Sequence, residues 1–76
     1  MITLTQGMKL RTVKPVWNEI GLALQQEDPT FKPREYPSGD VVEADYLDGY
    51  GLVLFFEDGS WMEYEDGMFE VVKPAE

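Results

Sequence analysis

The stretch "LVLFFEDGSWMEYEDGMFEVV", residues 52–72, places two Asp-Gly pairs eight residues apart in a run of aromatic and acidic residues. A third Asp-Gly pair lies at residues 48–49. Asp-Gly between runs of alternating apolar and polar residues is a strong β-hairpin signal. The spacing therefore predicts a meander of short antiparallel strands from Val41 onward.

A two-residue loop at residues 58–59 would place Phe55 opposite Met62. A second such loop at residues 66–67 would place Glu63 opposite Glu70. Because side chains alternate between the two faces of a strand, this register divides them into two sets. The predicted core face holds Val42, Ala44, Tyr46, Val53, Phe55, Met62, Tyr64, Phe69 and Val71. The opposite face holds Glu43, Asp45, Glu63, Glu65 and Glu70, with Leu52, Leu54, Phe56 and Trp61 among them.

The sequence of the amino-terminal half predicts fewer strands. Alternation of Met8 and Leu10 with basic residues indicates one or two short strands before residue 13. Pro15 suits a first helical position and Pro29 ends the next segment, which predicts a helix over about residues 15–26. Its apolar positions, at spacings of four, three and four, are Val13, Trp17, Ile20 and Leu24.

Two features of this half leave alternatives open. Gly21 weakens the helix, and the alternation of Ile20, Leu22 and Leu24 also fits a strand. Residues 27–40 contain three prolines and predict an extended, irregular connection.

The composition fits one small domain over residues 1–76. The chain has 76 residues, 43% hydrophobic, with ten aromatics, no cysteine and no histidine. A chain of this length buries little core, and without cysteine it has neither a disulfide nor a thiolate metal site. A homodimer would bury more apolar surface.

The net charge of −9 is unevenly distributed. Residues 1–38 carry a net +1, and residues 39–76 carry a net −10. Such a field repels nucleic acid and anionic membranes and attracts basic protein surfaces. No segment resembles a signal peptide or a membrane span, so we expect a soluble, cytoplasmic protein that does not bind nucleic acid directly.

Catalysis and cofactor binding are not expected. Ser38 and Ser60 lie in turns, and the chain has no histidine or cysteine to act as base or nucleophile. A calcium loop centred on Gly49 would require ligands at Ala44 and Phe55, which cannot supply them. We therefore predict no enzyme, no metal site and no cofactor.

The stretch "GDVVEADYLDGYGLVLFFEDGSWMEYEDGMFEVVKP", residues 39–74, resembles a small SH3-like barrel of the Tudor or KOW kind. The motifs are "GDVVEA", "LVLFFEDGS" and "EDGMFEVVKP". The resemblance implies a mainly β fold, an antiparallel SH3-like partial barrel or meander with one short helix. It also implies a binding module, with Tyr46, Tyr50 and Phe56 as loose counterparts of an aromatic cage. Tudor and KOW barrels carry one more strand than residues 39–74 provide, and the amino-terminal strands of this chain would have to supply it.

The predicted partner-binding site is the acidic face with its two large aromatics. Carboxylates on neighbouring strands repel one another and lower stability. A sheet face that carries several of them therefore indicates either a basic partner or a solvated surface that prevents pairing of sheet edges. Phe56 and Trp61 would form the centre of the interface, or else a second core layer under the helix that carries Trp17. Lys9, Arg11 and Lys14 form a basic strip that is solvated or meets this acidic sheet. The site residues are Glu43, Asp45, Phe56, Trp61, Glu63, Glu65 and Glu70.

Three functions follow from these features. The first is an inhibitor of a nucleic-acid-handling machine that fills a basic groove by nucleic-acid mimicry. In size and charge alone, the chain looks like phage anti-defence proteins such as anti-CRISPRs and other DNA mimics. The second is a Tudor- or KOW-like adaptor that binds a basic peptide through Tyr46 and Tyr50. The third is a small structural or assembly subunit that is stable mainly as an oligomer.

Overall fold

The computed structural model describes residues 2–72, which form seven short strands and one helix. All strand pairs are antiparallel, which confirms the mainly β class with one short helix. The resemblance extends to residues 73–74, which lie outside the described residues. The elements are β1 (Lys9–Thr12), β2 (Val16–Trp17), α1 (Glu19–Glu27), β3 (Glu35–Tyr36), β4 (Val41–Leu47), β5 (Gly51–Phe55), β6 (Trp61–Met62) and β7 (Phe69–Val71).

Two sheets make up the fold. The larger has the order β6-β5-β4-β1-β7 and is not closed into a barrel. The smaller pairs β2 with β3, placing Val16 opposite Tyr36. The predicted meander is therefore present as β4, β5 and β6, and the amino-terminal β1 supplies the strand between β4 and β7.

The register of the β5–β6 hairpin is one residue away from the predicted one. Its loop has three residues, not two: the Phe56 N–H donates to the Ser60 carbonyl at 2.8 Å, and the Gly59 N–H donates to the Phe56 carbonyl at 3.0 Å. Gly59 has φ 87°, the left-handed conformation that closes such a loop. As a result Met62 lies opposite Leu54 and not Phe55.

A shift of one residue exchanges the two faces of a strand, and several predicted positions were wrong for this reason. Leu54 and Phe56, predicted on the open face, are 0% and 4% exposed in the main core cluster. Phe55 is only half-buried. Val53 is buried but does not belong to that cluster. Tyr46 and Val71, also predicted in the core, are 62% and 41% exposed for a different reason, since Tyr46 lies near the end of β4 and Val71 on the edge strand β7.

The predicted last hairpin is also wrong. β7 pairs with β1, so Glu70 lies opposite Arg11 and not opposite Glu63. Asp66-Gly67 forms a turn that redirects the chain across the core instead of returning it beside β6. The expected packing of Tyr64 on Phe69 still occurs, with ring centroids 5.9 Å apart.

The helix begins four residues later than predicted because Asn18, not Pro15, starts it. The Asn18 side chain accepts a hydrogen bond from the Gly21 N–H at 2.7 Å, as an N-cap residue does. The residues before it extend into β2, so Trp17 lies outside the helix. The predicted apolar face is not buried either, because Ile20 and Leu24 are 54% and 44% exposed.

The core lies between the larger sheet and the β2–β3 pair. Tyr36 of β3 stacks on Phe56 with ring centroids 3.7 Å apart, so the second layer over Phe56 is β3 and not the helix. The buried Thr12 hydroxyl donates to the Pro37 carbonyl at 2.8 Å and accepts from the Asp40 N–H at 3.0 Å. These bonds fix the end of the connection over residues 27–40, which is irregular apart from β3. The main cluster comprises Leu10, Val16, Tyr36, Val42, Ala44, Leu54, Phe56, Met62 and Phe69.

None of the helical structure within residues 2–72 is long and apolar enough to span a bilayer.

Candidate functional site

The sheet face predicted to be acidic carries mixed charge. Glu70 forms an ion pair with Arg11 at 2.9 Å, and Glu43 lies directly opposite Lys9 on the neighbouring strand. Asp45 accepts a hydrogen bond from the Gln6 amide at 3.0 Å. Part of the basic strip therefore meets the acidic sheet of the same molecule, which lowers the negative field over this face.

A cleft at the β6 edge of the sheet brings Trp61 and Glu63 together with residues of the helix. Its volume is about 270 Å³. The Tyr50 and Trp61 rings form one wall, with centroids 4.8 Å apart and planes at 53°. We call it the acidic–aromatic cleft; its lining residues are Glu19, Ile20, Ala23, Tyr50, Trp61 and Glu63.

Three elements place these side chains. Tyr50 lies in the β4–β5 loop, where its N–H donates to the Leu47 carbonyl at 2.9 Å. Trp61 lies on β6, directly opposite Phe55 of the neighbouring strand β5. The first turn of α1 supplies Glu19, whose carboxylate accepts a hydrogen bond from the Glu63 N–H at 3.3 Å. This bond covers part of the sheet edge beyond β6, where another strand could otherwise pair.

No basic side chain compensates the carboxylates of the acidic–aromatic cleft among the described residues. Its lining there includes Glu19 and Glu63 and neither a lysine nor an arginine. Within residues 2–72 the two ion pairs are Arg11–Glu70 and Arg34–Asp58, and neither involves a cleft residue. Carboxylates beside two π faces attract a cation, because both contribute negative potential.

The structure separates the predicted site residues into three groups. Trp61 and Glu63 line the cleft, and Glu65 follows two residues later on the exposed chain. Glu43, Asp45 and Glu70 lie on or beside the mixed-charge sheet face. Phe56 is buried in the core.

The sequence prediction did not place Glu19, Ile20 and Ala23 in the site, because their approach to Trp61 and Glu63 depends on tertiary packing of the helix beside β6. Asn18 followed by Glu19 is an N-terminal signal that would have placed Glu19 in the first helical turn. Tyr50 entered only through the resemblance to aromatic-cage barrels. Its neighbour in that scheme, Tyr46, is not among the cleft residues.

A second cleft lies against another side of the same helix. It has a volume of about 370 Å³ and is lined by Trp17, Leu22, Gln25, Lys32 and Pro33. We call it the apolar cleft. Trp17 and Leu22 are 38% and 39% exposed, so large apolar surfaces face solvent here.

A third concave region, about 320 Å³ in volume, lies beside Tyr36 and Asp58. The Tyr36 hydroxyl donates to Asp58 at 2.6 Å and accepts from the Asn18 amide at 3.0 Å. Hydrogen bonds from Ser60 and Tyr36, with a smaller contribution from the Arg34 charge, lower the pKa of Asp58 to about 2. These groups satisfy one another, so we assign the network to holding the 57–59 loop against β3.

Among residues 2–72, no group of three or more Asp, Glu, His or Cys side chains is arranged to hold a metal ion. The chain matches no protein-family model, no curated protein and no solved structure. A functional assignment therefore has to be argued from the geometry and charge of the clefts.

Proposed function

We propose that this protein is an acidic protein-binding module that engages a basic protein surface and has no catalytic role. The observation that carries the proposal is the acidic–aromatic cleft, where Glu19 and Glu63 flank the Tyr50–Trp61 pair with no cation among the lining residues. Exposed aromatics at the centre of a polar rim are typical of protein interfaces.

The form of this function that we favour is inhibition of a nucleic-acid-handling machine in the cytoplasm. A groove that holds a phosphate backbone is lined with lysine and arginine, and carboxylates can occupy the same positions. In this mechanism Glu19 and Glu63 stand in for phosphates, and Trp61 is the apolar anchor. The inhibitor then acts by steric and electrostatic competition for the groove.

The larger sheet supports the binding-module class. In its order β6-β5-β4-β1-β7, the meander β4–β5–β6 lies beside β1 and β7, which come first and last along the chain. This arrangement is the one expected for an SH3-like partial barrel. The segment between β1 and β4 contains α1, which supplies half of the residues that line the cleft. In this scheme the sheet is the scaffold and the inserted helix completes the binding surface.

Binding to a hexalysine peptide, measured by isothermal titration calorimetry at low and high ionic strength, tests the proposal. We expect affinity to fall steeply as salt rises, since the interaction is between opposite charges. The Glu19→Gln/Glu63→Gln double variant should bind about tenfold more weakly, a loss of about 1.4 kcal/mol.

The matched control is the Glu43→Gln/Glu70→Gln variant, which removes the same number of charges from the sheet face. Because basic residues already lie beside these two carboxylates, its affinity should stay within about threefold of the wild type. Equal losses in both variants would mean that only net charge matters, and a salt-independent affinity would contradict charge complementarity.

A second candidate is the Tudor- or KOW-like adaptor, which would hold a single basic side chain of a peptide between aromatics. The Tyr50–Trp61 pair favours it, because two rings at 53° present a concave π surface. For this adaptor, Tyr50→Ala should abolish peptide binding while Glu63→Lys leaves most of it. For the nucleic-acid mimic we expect the reverse, so that Glu63→Lys abolishes peptide binding and Tyr50→Ala leaves most of it.

A further inference from the structure

We infer that helix α1 is crossed by an extended segment of the partner that carries one basic and one bulky apolar side chain four residues apart, so that both point to the same side of the segment. The basic side chain would enter the acidic–aromatic cleft, and the apolar one would enter the apolar cleft. This inference rests on the proposed function and specifies the chemistry of the partner.

The helix separates the two clefts. Successive residues of an α-helix are 100° apart, so Glu19, Ile20 and Ala23 project to one side, and Leu22 and Gln25 to another. The first set lines the acidic–aromatic cleft and the second set lines the apolar cleft.

Most residues of helix α1 are exposed to solvent. Gly21 is its one buried residue, against Pro33, while Ile20 and Leu24 are 54% and 44% exposed. A nine-residue helix gains little stability from its own hydrogen bonds and depends on packing. The apolar surface that α1 exposes is therefore available to a partner, whose contact would stabilise the helix.

The chemistry of the two clefts differs, and this difference specifies the occupant. One offers Glu19, Glu63 and two π faces, which suit a lysine or arginine. The other offers Trp17, Leu22 and the ring of Pro33, which suit a large apolar side chain, and Lys32 in its lining disfavours a second basic one. A partner segment that occupies both must span one helix, about 10–12 Å, and an extended chain advances about 3.3 Å per residue.

The two tryptophans of the chain provide a separate reporter for each cleft, because Trp61 lines one and Trp17 lines the other. The test is a nuclear magnetic resonance titration of ¹⁵N-labelled protein with short capped peptides, following both indole N–H signals. One peptide carries Lys and Phe four residues apart, two carry only one of these residues, and one carries them adjacent, where they point to opposite sides.

We expect the spaced peptide to shift both indole signals with a single affinity, at least about tenfold tighter than either single-residue peptide, because the second contact becomes intramolecular. The adjacent-residue peptide should show no such gain. If the spaced peptide shifts only one indole signal, or binds no more tightly than the lysine-only peptide, the inference is wrong.

Variants locate the two contacts. Glu19→Gln/Glu63→Gln should reduce the spaced peptide to about the affinity of the Phe-only peptide, and Leu22→Ser should reduce it to that of the Lys-only peptide. Tyr46→Ser is the control, since Tyr46 is 62% exposed and lines neither cleft. Unchanged backbone spectra establish that each variant is folded.

Hexalysine in the same experiment distinguishes failure of this inference from failure of the proposed function. Salt-sensitive binding of hexalysine with no gain for the spaced peptide would overturn this inference and leave the proposed function standing. Failure of both peptides to bind would overturn both.

Discussion

Asp58 shows how a single carboxylate fixes the loop that leads into β6. It accepts from Ser60 and Tyr36, and Arg34 forms an ion pair with it at 2.9 Å. The Tyr36 ring packs on Phe56 of the core, so this network links the surface loop to the interior. The loop in turn sets the register of β6, on which Trp61 stands.

The lowered pKa of Asp58, about 2, predicts a pH dependence of stability. A carboxylate whose folded pKa lies below its unfolded value of about 3.8 stabilises the fold above that value and loses this effect as pH falls toward 2. In Asp58→Asn we expect a lower free energy of unfolding at neutral pH and a weaker decline between about pH 4 and pH 2. Urea unfolding followed by tryptophan fluorescence at several pH values measures both.

Glu57→Gln is the control for that experiment, because it removes a charge from the same loop without altering the Asp58 hydrogen bonds. It should keep the pH dependence of the wild type between pH 4 and pH 2. Parallel curves for Asp58→Asn and the wild type over that range would contradict the role given to Asp58.

Gly21 is a residue whose purpose could not be predicted from the sequence. In an isolated helix a glycine costs about 1 kcal/mol relative to alanine. Here a Cβ at this position would lie 2.9 Å from the Pro33 Cβ, so the glycine allows the helix and the connection to approach closely. That contact depends on tertiary structure and leaves no local pattern in the sequence.

At the level of elements, turn chemistry predicted the existence of the strands but not their register. The Asp-Gly pairs marked the β4–β5 and β5–β6 loops correctly, since both are hairpins. A three-residue loop closed by Gly59 and a two-residue loop have the same local sequence signal, yet they place opposite side chains in the core. Hydrophobicity could not decide, because Val53, Leu54, Phe55 and Phe56 are all apolar.

Substitution of the two adjacent phenylalanines tests the register directly. Phe56→Leu should lower the free energy of unfolding by about 1–2 kcal/mol, because it opens a cavity and removes the stack on Tyr36. Phe55→Leu should cost less than half as much, since Phe55 is half-buried. Chemical denaturation gives both values, and a larger loss for Phe55→Leu would indicate the register of a two-residue loop.

At the scale of the whole molecule, composition gives the net charge but not its distribution over the surface. The net charge of −9 is visible in the sequence. The pairing of β7 with β1 joins residues about sixty positions apart and places Arg11 beside Glu70. Local patterns do not encode such long-range pairing, so the predicted acidic patch of Glu63, Glu65 and Glu70 was placed on one face. The structure instead leaves Glu63 with Glu19 and Trp61 at the β6 edge.

We propose that this edge, with Glu19, Trp61 and Glu63, competes with nucleic acid for a basic surface. The most direct measurement is fluorescence anisotropy of a labelled DNA duplex bound to a lysine- and arginine-rich peptide, titrated with the protein at fixed ionic strength. We predict that the wild type releases the duplex and that Glu19→Gln/Glu63→Gln requires about tenfold more protein, while Glu43→Gln/Glu70→Gln stays within about threefold of the wild type. No release by the wild type, or a greater loss in the sheet-face variant, would contradict the account.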